Sequence, residues 1–106
     1  MNILAQIKQQ IIDNPIILYM KGTITHPQCG YSDKTAKIIL TYNVKCTYIN
    51  ILDDDNLRKF LPKYANWPTF PQLWVNNTLI GGYDIIFHLH INNKLLDILN
   101  KNVHDI

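Results

Sequence analysis

Apolar residues along the first part of the chain follow two different spacings. Between positions 3 and 11 an isoleucine recurs every fourth residue, which predicts an amphipathic helix over residues 2–13 that the sequence Asp-Asn-Pro ends. The segment IILYMK at 16–21 is instead a short apolar run, typical of a strand buried on both faces. The next nine residues are predicted to form a loop.

Helical spacing returns at residues 30–42, and the β-branched and aromatic residues at 44–52 predict a second strand. Strand, helix and strand in this order form a βαβ unit, whose strands run parallel with a right-handed connection. The sequence DDDN at 53–56 supplies N-cap and first-turn carboxylates for a third helix. Pro62 is expected to end or kink that helix.

Residues 71–82 predict a hairpin, because two short strands flank an Asn-Asn pair that tolerates the positive φ of a tight turn. Helical segments follow at 84–91 and 94–102, separated by a second pair of asparagines. The order α-β-α-β-α-β-β-α predicts an α/β fold with helices packed on a small mixed sheet. A chain of this length has room for one domain, which we assign to residues 1–106.

Composition narrows the function classes. The chain is 47% hydrophobic and 17% charged, within the range of folded proteins. Its net charge is only +2 and its basic residues are scattered, so we predict binding to neither nucleic acid nor an anionic membrane. No apolar run approaches the roughly 18 residues needed to cross a bilayer, and the first residues lack the pattern of a secretory signal. We therefore expect a cytoplasmic protein.

The chain has two cysteines, Cys29 and Cys46, too few for the disulfide framework of a small secreted domain. Cys29 opens the second predicted helix, where unpaired N–H groups and the helix dipole favour a thiolate. Gly30 lets the backbone pass close to a group bound at the sulfur, and Lys21 can place a cation near it. Although an isolated cysteine at a helix start is more often structural, this context favours a reactive thiol.

Several other residues have simpler interpretations. Cys46 lies within the predicted second strand and is expected to be a buried small hydrophobe. A disulfide between the two cysteines is conceivable, but nothing in their spacing requires it. His88 and His90 are two positions apart on a predicted helix, so they point away from each other and are expected to be solvated surface and not metal ligands.

The segment before the hairpin is more informative. A proline directly before a strand of a redox α/β protein favours a cis bond, here between Phe70 and Pro71, and frees neighbouring backbone groups for an extended ligand. Trp67 and Trp74, on either side of this bond, are expected to lie in the core or in a pocket wall.

Four blocks of sequence together resemble one family, the monothiol glutaredoxins of the CGFS type, especially the short single-domain bacterial kind. The resemblance covers nearly the whole chain and rests on YMKGT at 19–23, PQCGYS at 27–32, LPKYANWPTFPQLWVNN at 61–77 and IGGYDI at 80–85. It implies a thioredoxin-like fold: a small four-stranded mixed sheet with helices on both faces, and a cis Phe70–Pro71 bond.

The resemblance also implies a groove that binds glutathione beside Cys29. By matching position, the residues implied for glutathione are Lys21 and Arg58 for a carboxylate, the Phe70 backbone for the cysteinyl part, and Tyr83 with Asp84 for the γ-glutamyl end. These residue types suit the ligand, because glutathione carries two carboxylates and an ammonium and needs cations, a helix N-terminus and an acid.

The function implied by the resemblance is transfer or biogenesis of iron–sulfur clusters. Such clusters commonly take four thiolates, which two Cys29 thiols and two glutathiones would supply in a homodimer that shares a [2Fe-2S] cluster. Iron–sulfur acceptor proteins and a BolA-like protein are the implied partners. Ser32 stands where a second cysteine would complete C-x-x-C, and it removes a thiol that could capture Cys29 in a disulfide.

Two alternatives stay open. The same thiol and groove would serve a glutathione-dependent thiol–disulfide oxidoreductase that removes glutathione from proteins, or the fold could be kept as a redox-inert adaptor. Retention of Cys29 argues against the adaptor, and the TITHP insert before it favours the carrier by reshaping the approach to the thiol. The chain departs from the family at Tyr31, where Phe is usual, at Tyr83, where Cys or Phe is common, and at Asn93, near a common helix-ending Gly.

Overall fold

The computed structural model describes residues 2–100. Within this range helices and strands alternate as far as β3, and the chain order is α1 (Ile3–Asp13), β1 (Ile16–Met20), α2 (Gly30–Leu40), β2 (Thr47–Asn50), α3 (Asp55–Ala65), β3 (Gln72–Val75), β4 (Thr78–Gly81), α4 (Tyr83–Ile91) and α5 (Leu95–Leu99). A 3₁₀ turn at Ile51–Asp53 joins β2 to α3.

The four strands form one mixed sheet in the order β2-β1-β3-β4. β1 pairs in parallel with β2, with Ile17 opposite Thr47. β1 also pairs antiparallel with β3, and β3 with β4. This arrangement confirms the predicted βαβ unit followed by a hairpin.

The central strand β1 is buried along its whole length because helices cover both faces of the sheet. One cluster of buried residues joins alternate positions of β1 to α2, α4 and α5: Ile16, Leu18, Met20, Ala36, Ile39, Leu73, Val75, Ile86, Leu95 and Leu99. The other joins the remaining positions to α1 and α3: Ile7, Ile11, Ile17, Tyr19, Ile51, Leu57, Leu61 and Trp74. The predicted thioredoxin-like layering is therefore confirmed.

Asparagine and aspartate side chains define many of the helix ends and turns. Asp54 caps α3, its carboxylate accepting hydrogen bonds from the amides of Asn56 and Leu57 at 3.0 and 3.1 Å. The hairpin turn is Asn76-Asn77, with φ of 49° and 62°, as its sequence predicted. These local interactions place the hairpin turn and the start of α3 where the sequence pattern indicated.

The second strand is shorter than predicted, covering Thr47–Asn50 instead of 44–52. Its end is set by the Asn50 side chain, whose oxygen accepts hydrogen bonds from the amides of Gly22 (2.8 Å) and Leu52 (3.0 Å) and so starts the 3₁₀ turn. Because the strand begins at Thr47, Cys46 lies just before it and not inside it, and it is half-buried instead of buried. The early end of the strand depends on a contact between distant parts of the chain.

Pro62 does not end α3, which continues to Ala65. The helix instead ends after Ala65. There the amide of Trp67 donates to the Pro62 carbonyl at 3.0 Å, and Asn66 adopts the left-handed conformation of a helix end. The final predicted helix is also shorter, and its residues 101–102 lie outside the described range.

Gly22 lies in a position that excludes any side chain. Its φ is +92°, and an added Cβ would lie 2.5 Å from the Gln28 amide nitrogen and 2.6 Å from the His26 carbonyl oxygen. Gly22→Ala is therefore expected to lower the free energy of unfolding by at least about 2 kcal/mol, measured by urea denaturation. Gly30→Ala is the matched control, because a Cβ there meets nothing within 4 Å. Equal effects of the two substitutions would contradict this account.

Candidate functional site

Cys29 is the N-cap residue of α2 and is half-buried, with an extended backbone. Its carbonyl accepts the amide of Asp33 at 3.0 Å, while its thiol forms no capping hydrogen bond. The sulfur therefore faces the first turn of the helix without being used to close it.

The surroundings of Cys29 favour its thiolate. Partial burial alone would raise the pKa of the thiol, but the backbone amides of Ser32 and Tyr31, the Ser32 hydroxyl and the Lys21 charge together lower that pKa below its ordinary value. A thiolate is the form that attacks disulfides and binds metals. The helix start thus prepares this sulfur for either chemistry.

Cys46 has the opposite surroundings. It packs against the core beside Tyr48, and its burial raises the pKa of the thiol to about 12. Its sulfur donates weakly to the Thr47 carbonyl at 3.6 Å. Both cysteines are free thiols. At neutral pH Cys46 stays protonated, and Cys29 is the sulfur available for chemistry.

Ser32 has a structural role that the sequence pattern did not reveal. The side chain is fully buried, and its hydroxyl accepts the backbone amide of Lys21 at 3.0 Å. This bond ties the end of β1 to the first turn of α2. Lys21 and Cys29 are thereby held on neighbouring segments, and Ser32 does more than replace a second thiol.

The insert before Cys29 folds into a compact turn. Gly22 bridges to Pro27, the Thr23 amide donates to the His26 carbonyl at 3.2 Å, and the Gln28 amide donates to the Lys21 carbonyl at 3.0 Å. Because these bonds fix the loop, the insert presents a defined surface on the approach to α2.

A cleft of about 460 Å³ lies beside the start of α2. Its walls come from α2, the segment before β3 and the start of α4, and they are formed by Tyr31, Trp67, Thr69, Phe70, Pro71, Gly82, Tyr83, Asp84 and Ile85. The Phe70–Pro71 bond in this wall is cis, as predicted. Three of the residues predicted for glutathione therefore line one cleft: Phe70, Tyr83 and Asp84.

Aromatic rings connect the cleft to the cysteine's helix. Tyr31 is 59% exposed, and its ring centroid lies 5.5 Å from that of Tyr83. Tyr83 in turn stacks on Phe87 at 5.7 Å, and the Lys34 ammonium lies 5.8 Å from the Tyr83 ring centroid. The two tyrosines at which the chain departs from the family are thus in contact with each other, at the starts of α2 and α4.

The two predicted cations differ in position. Lys21 is half-buried directly after β1, close enough for its charge to act on Cys29. Arg58 is exposed on α3, and no described contact joins it to the cleft. Neither forms a salt bridge within residues 2–100. The structure thus places Lys21 near the thiol, and neither Lys21 nor Arg58 belongs to the cleft wall.

The tryptophans lie as expected, one in the core and one in a pocket wall. Trp74 is buried, and its indole nitrogen donates to the Gln72 side chain at 3.2 Å. Trp67 lines the cleft, and its indole nitrogen is buried with no hydrogen-bond partner in the described part of the chain.

One histidine prediction needs correction. His88 is exposed as expected, but His90 is half-buried because its ring bonds to the Tyr42 hydroxyl, where α4 packs beside the end of α2. Across residues 2–100 no group of three or more His, Cys, Asp or Glu side chains could hold a metal ion. No helix in this range is long and apolar enough to span a membrane.

Comparison with known proteins is consistent with this geometry. The family model described as Glutaredoxin matches residues 16–80. A protein of Haemophilus ducreyi named Glutaredoxin 4 is 46% identical over 101 residues, covering 95% of this chain and 94% of that protein.

Solved structures of glutaredoxins share the fold of this chain. The solution structure of reduced poplar apo GrxS14 is 33% identical, with a TM-score of 0.78 over 92% of this chain and 89% of that one. A crystal structure of a buckwheat glutaredoxin–glutathione complex is 22% identical and shows the same fold, with a TM-score of 0.81 over 93% of this chain and 88% of that one. The chain, with one cysteine in its CGYS motif, belongs to the glutaredoxin family as a monothiol member.

Proposed function

We propose that this chain binds glutathione beside Cys29 and carries a glutathione-ligated [2Fe-2S] cluster between two copies of itself, for transfer to other proteins. The observation that supports the proposal most is that the activated thiol has no second cysteine beside it in its motif. Cys29 has a lowered pKa at a helix N-terminus, and Ser32 occupies the place of a second sulfur.

Glutathione fits the chemistry of the cleft. Its γ-glutamyl end is an α-amino acid, for which the start of α4 offers amides and the Asp84 carboxylate. Its cysteinyl backbone is an extended strand that can pair with the segment at Phe70, and Lys21 offers a cation for a carboxylate. The buckwheat glutaredoxin of the same fold was crystallised with glutathione.

The donor set explains why two chains are needed. A [2Fe-2S] cluster commonly takes four thiolates, and within residues 2–100 a single chain presents one activated thiol and no other grouped metal ligands. Two Cys29 thiolates and two glutathione thiolates complete the set. The cluster is thus cargo held at an interface that glutathione helps to build.

Transfer requires partners, and we propose iron–sulfur acceptor proteins and a BolA-like protein, as the family resemblance implies. A cytoplasmic site of action agrees with two free thiols, since reducing compartments keep such thiols available.

A second candidate function uses the same thiolate as a nucleophile. Cys29 would attack the glutathione sulfur of a glutathionylated protein, releasing the protein thiolate and forming a Cys29–glutathione disulfide. A second glutathione would then attack that disulfide, restoring Cys29 and leaving as glutathione disulfide. The lowered pKa of Cys29 is the observation that favours this reaction.

The deciding experiment is anaerobic reconstitution with iron, sulfide and glutathione. Visible absorption typical of a [2Fe-2S] centre together with a doubled native mass is the expected result. A colourless monomer that turns over a mixed glutathione disulfide would overturn the carrier proposal in favour of the oxidoreductase.

The cations provide a graded test of glutathione binding. Lys21→Ala is expected to weaken glutathione binding by about tenfold or more, because a charge-assisted hydrogen bond contributes roughly 1.5–3 kcal/mol. Arg58→Ala is also expected to weaken it, but by less, since Arg58 is exposed to solvent screening whereas Lys21 is half-buried near the thiol. The measurement is the glutathione Kd by calorimetry, followed by the yield of cluster.

Lys8→Ala is the control for general charge effects, since Lys8 is an exposed lysine on α1. If cluster assembled equally well without glutathione, or if all three variants behaved alike, the assignment of these cations would be wrong.

A further inference from the structure

The indole nitrogen of Trp67 is a buried donor without a partner in the described residues. Buried polar groups in folded proteins are nearly always hydrogen-bonded, so each exception calls for an explanation. The chain provides its own comparison in Trp74, whose indole nitrogen is satisfied by Gln72 at 3.2 Å. The missing partner of the Trp67 nitrogen is therefore not a general consequence of burying an indole in this protein.

This donor belongs to a residue of the cleft wall. Trp67 lies against Gly82, the residue before α4, so that a Cβ on Gly82 would lie 3.6 Å from the Trp67 indole nitrogen and 3.3 Å from the Pro71 carbonyl oxygen. Gly82 has φ of −100°, which other residues also adopt, so its backbone conformation does not require glycine. Glycine instead fits the limited space here, because a Cβ would crowd the Pro71 carbonyl and contact the Trp67 indole.

The same corner contains other unused donors. α4 has nine residues, and Gly82 provides no side-chain cap for its first amides. Amides at a helix start together with an indole N–H form a set that suits a carboxylate, and Asp84 in the cleft wall suits a neighbouring ammonium. A carboxylate beside an ammonium is the α-amino acid end of a ligand.

We propose that the Trp67 indole N–H is a donor reserved for the carboxylate of the ligand's α-amino acid end, which binds between the indole and the Gly82 backbone. The inference rests on the proposed function, in which that end is the γ-glutamyl group of glutathione. Because the indole nitrogen is covered in the empty cleft, the bond forms as the Gly82 backbone shifts to admit the ligand. Binding thereby removes the cost of an unsatisfied buried donor and gains affinity.

Nuclear magnetic resonance can follow this donor directly. The chain has two tryptophans and therefore two indole ¹H–¹⁵N signals, which Trp67→Phe assigns by removing one. On titration of the full chain with reduced glutathione, the Trp67 signal is expected to shift downfield and to exchange more slowly with water, while the Trp74 signal stays fixed. Cysteinylglycine, which lacks the γ-glutamyl group, is expected to leave both signals unchanged.

Affinity gives the second measurement. Trp67→Phe keeps an aromatic ring but removes the donor, so it is expected to weaken glutathione binding by about two- to tenfold and to leave cysteinylglycine binding unchanged. An unchanged, dispersed Trp74 signal in this variant shows that the fold is retained.

The outcomes separate the two proposals. If glutathione shifts the backbone signals of residues 82–84 but not the Trp67 indole, this inference is wrong and the proposed glutathione site stands. If glutathione shifts neither, the proposed site fails and the inference fails with it. A Trp67 shift of equal size with cysteinylglycine would also overturn the assignment to the α-amino acid end.

Discussion

Replacing Cys29 by serine is expected to abolish cluster binding, whereas Cys46→Ser should leave most of it. Cys29 is at the N-terminus of α2, where Ser32 and Tyr31 amides and the Lys21 charge lower the pKa of the thiol. Burial instead raises the pKa of Cys46 to about 12, so this thiol stays protonated at pH 7. The measurement is absorbance at the cluster's visible bands after anaerobic reconstitution of each variant.

Alkylation gives an independent check on the same pair. With iodoacetamide at pH 7, the wild-type chain is expected to be modified at Cys29 and protected at Cys46, as mapped by mass spectrometry of peptides. Cys46→Ser removes a half-buried thiol that packs against the core, so the substitution could also destabilise the fold. The unfolding midpoint of this variant is therefore measured, to distinguish loss of the fold from loss of a cluster ligand. If the Cys46 variant were the colourless one, Cys29 would not be the cluster ligand.

The layers of the fold could be predicted from sequence because they depend on local spacing. Isoleucines at every fourth position bury one side of α1, and the uninterrupted run in β1 is buried on both faces. The Asn76-Asn77 pair likewise identified the hairpin turn by its own conformational tolerance. In each case residues close in sequence set the conformation, so the pattern was sufficient.

Two of the corrections came from contacts between distant segments. β2 ends early because the Asn50 side chain bonds to Gly22, and His90 is half-buried because it bonds to Tyr42, just after the end of α2. Neither pairing leaves a trace in local spacing. The same applies to Ser32, whose buried hydroxyl accepts the Lys21 amide and which the sequence identified only as the absence of a thiol.

The candidate site, like the fold, could be predicted only in part from the sequence. Residue types placed a thiolate at a helix start, and the predicted cation Lys21 lies near enough for its charge to help lower the pKa of that thiol. The resemblance selected Phe70, Tyr83 and Asp84, which line one cleft, and the two cations Lys21 and Arg58, which do not. The unsatisfied donor of Trp67 could not be predicted, since it depends on how the segment before β3 packs against Gly82.

Ser32→Cys is expected to convert the chain towards dithiol exchange and to shorten the lifetime of the proposed cluster. The change recreates C-x-x-C at a helix start, where the two sulfurs lie close enough for a disulfide. The introduced thiol can attack a Cys29–glutathione disulfide, releasing glutathione and closing an intramolecular disulfide. Reduction of a mixed glutathione disulfide should therefore become faster than in wild type.

Cluster loss follows from the same disulfide. In air, oxygen oxidises the two thiols to a disulfide, which withdraws Cys29 from iron, so cluster absorbance should decay faster in the variant than in wild type. Ser32→Ala is the matched control, because it also removes the hydroxyl that accepts the Lys21 amide at 3.0 Å but brings no thiol. Loss of that bond should cost both variants about 1 kcal/mol of stability, measured by urea denaturation.

The comparison of the three proteins therefore isolates the second sulfur. Faster exchange and faster decay in Ser32→Cys alone would show that the absent thiol keeps Cys29 committed to its cluster. Faster decay in both variants would instead assign cluster retention to the buried hydroxyl bond between Ser32 and Lys21. If wild type already reduced the mixed disulfide as fast as Ser32→Cys, Ser32 would not restrain exchange, and the oxidoreductase would replace the carrier as the function of this chain.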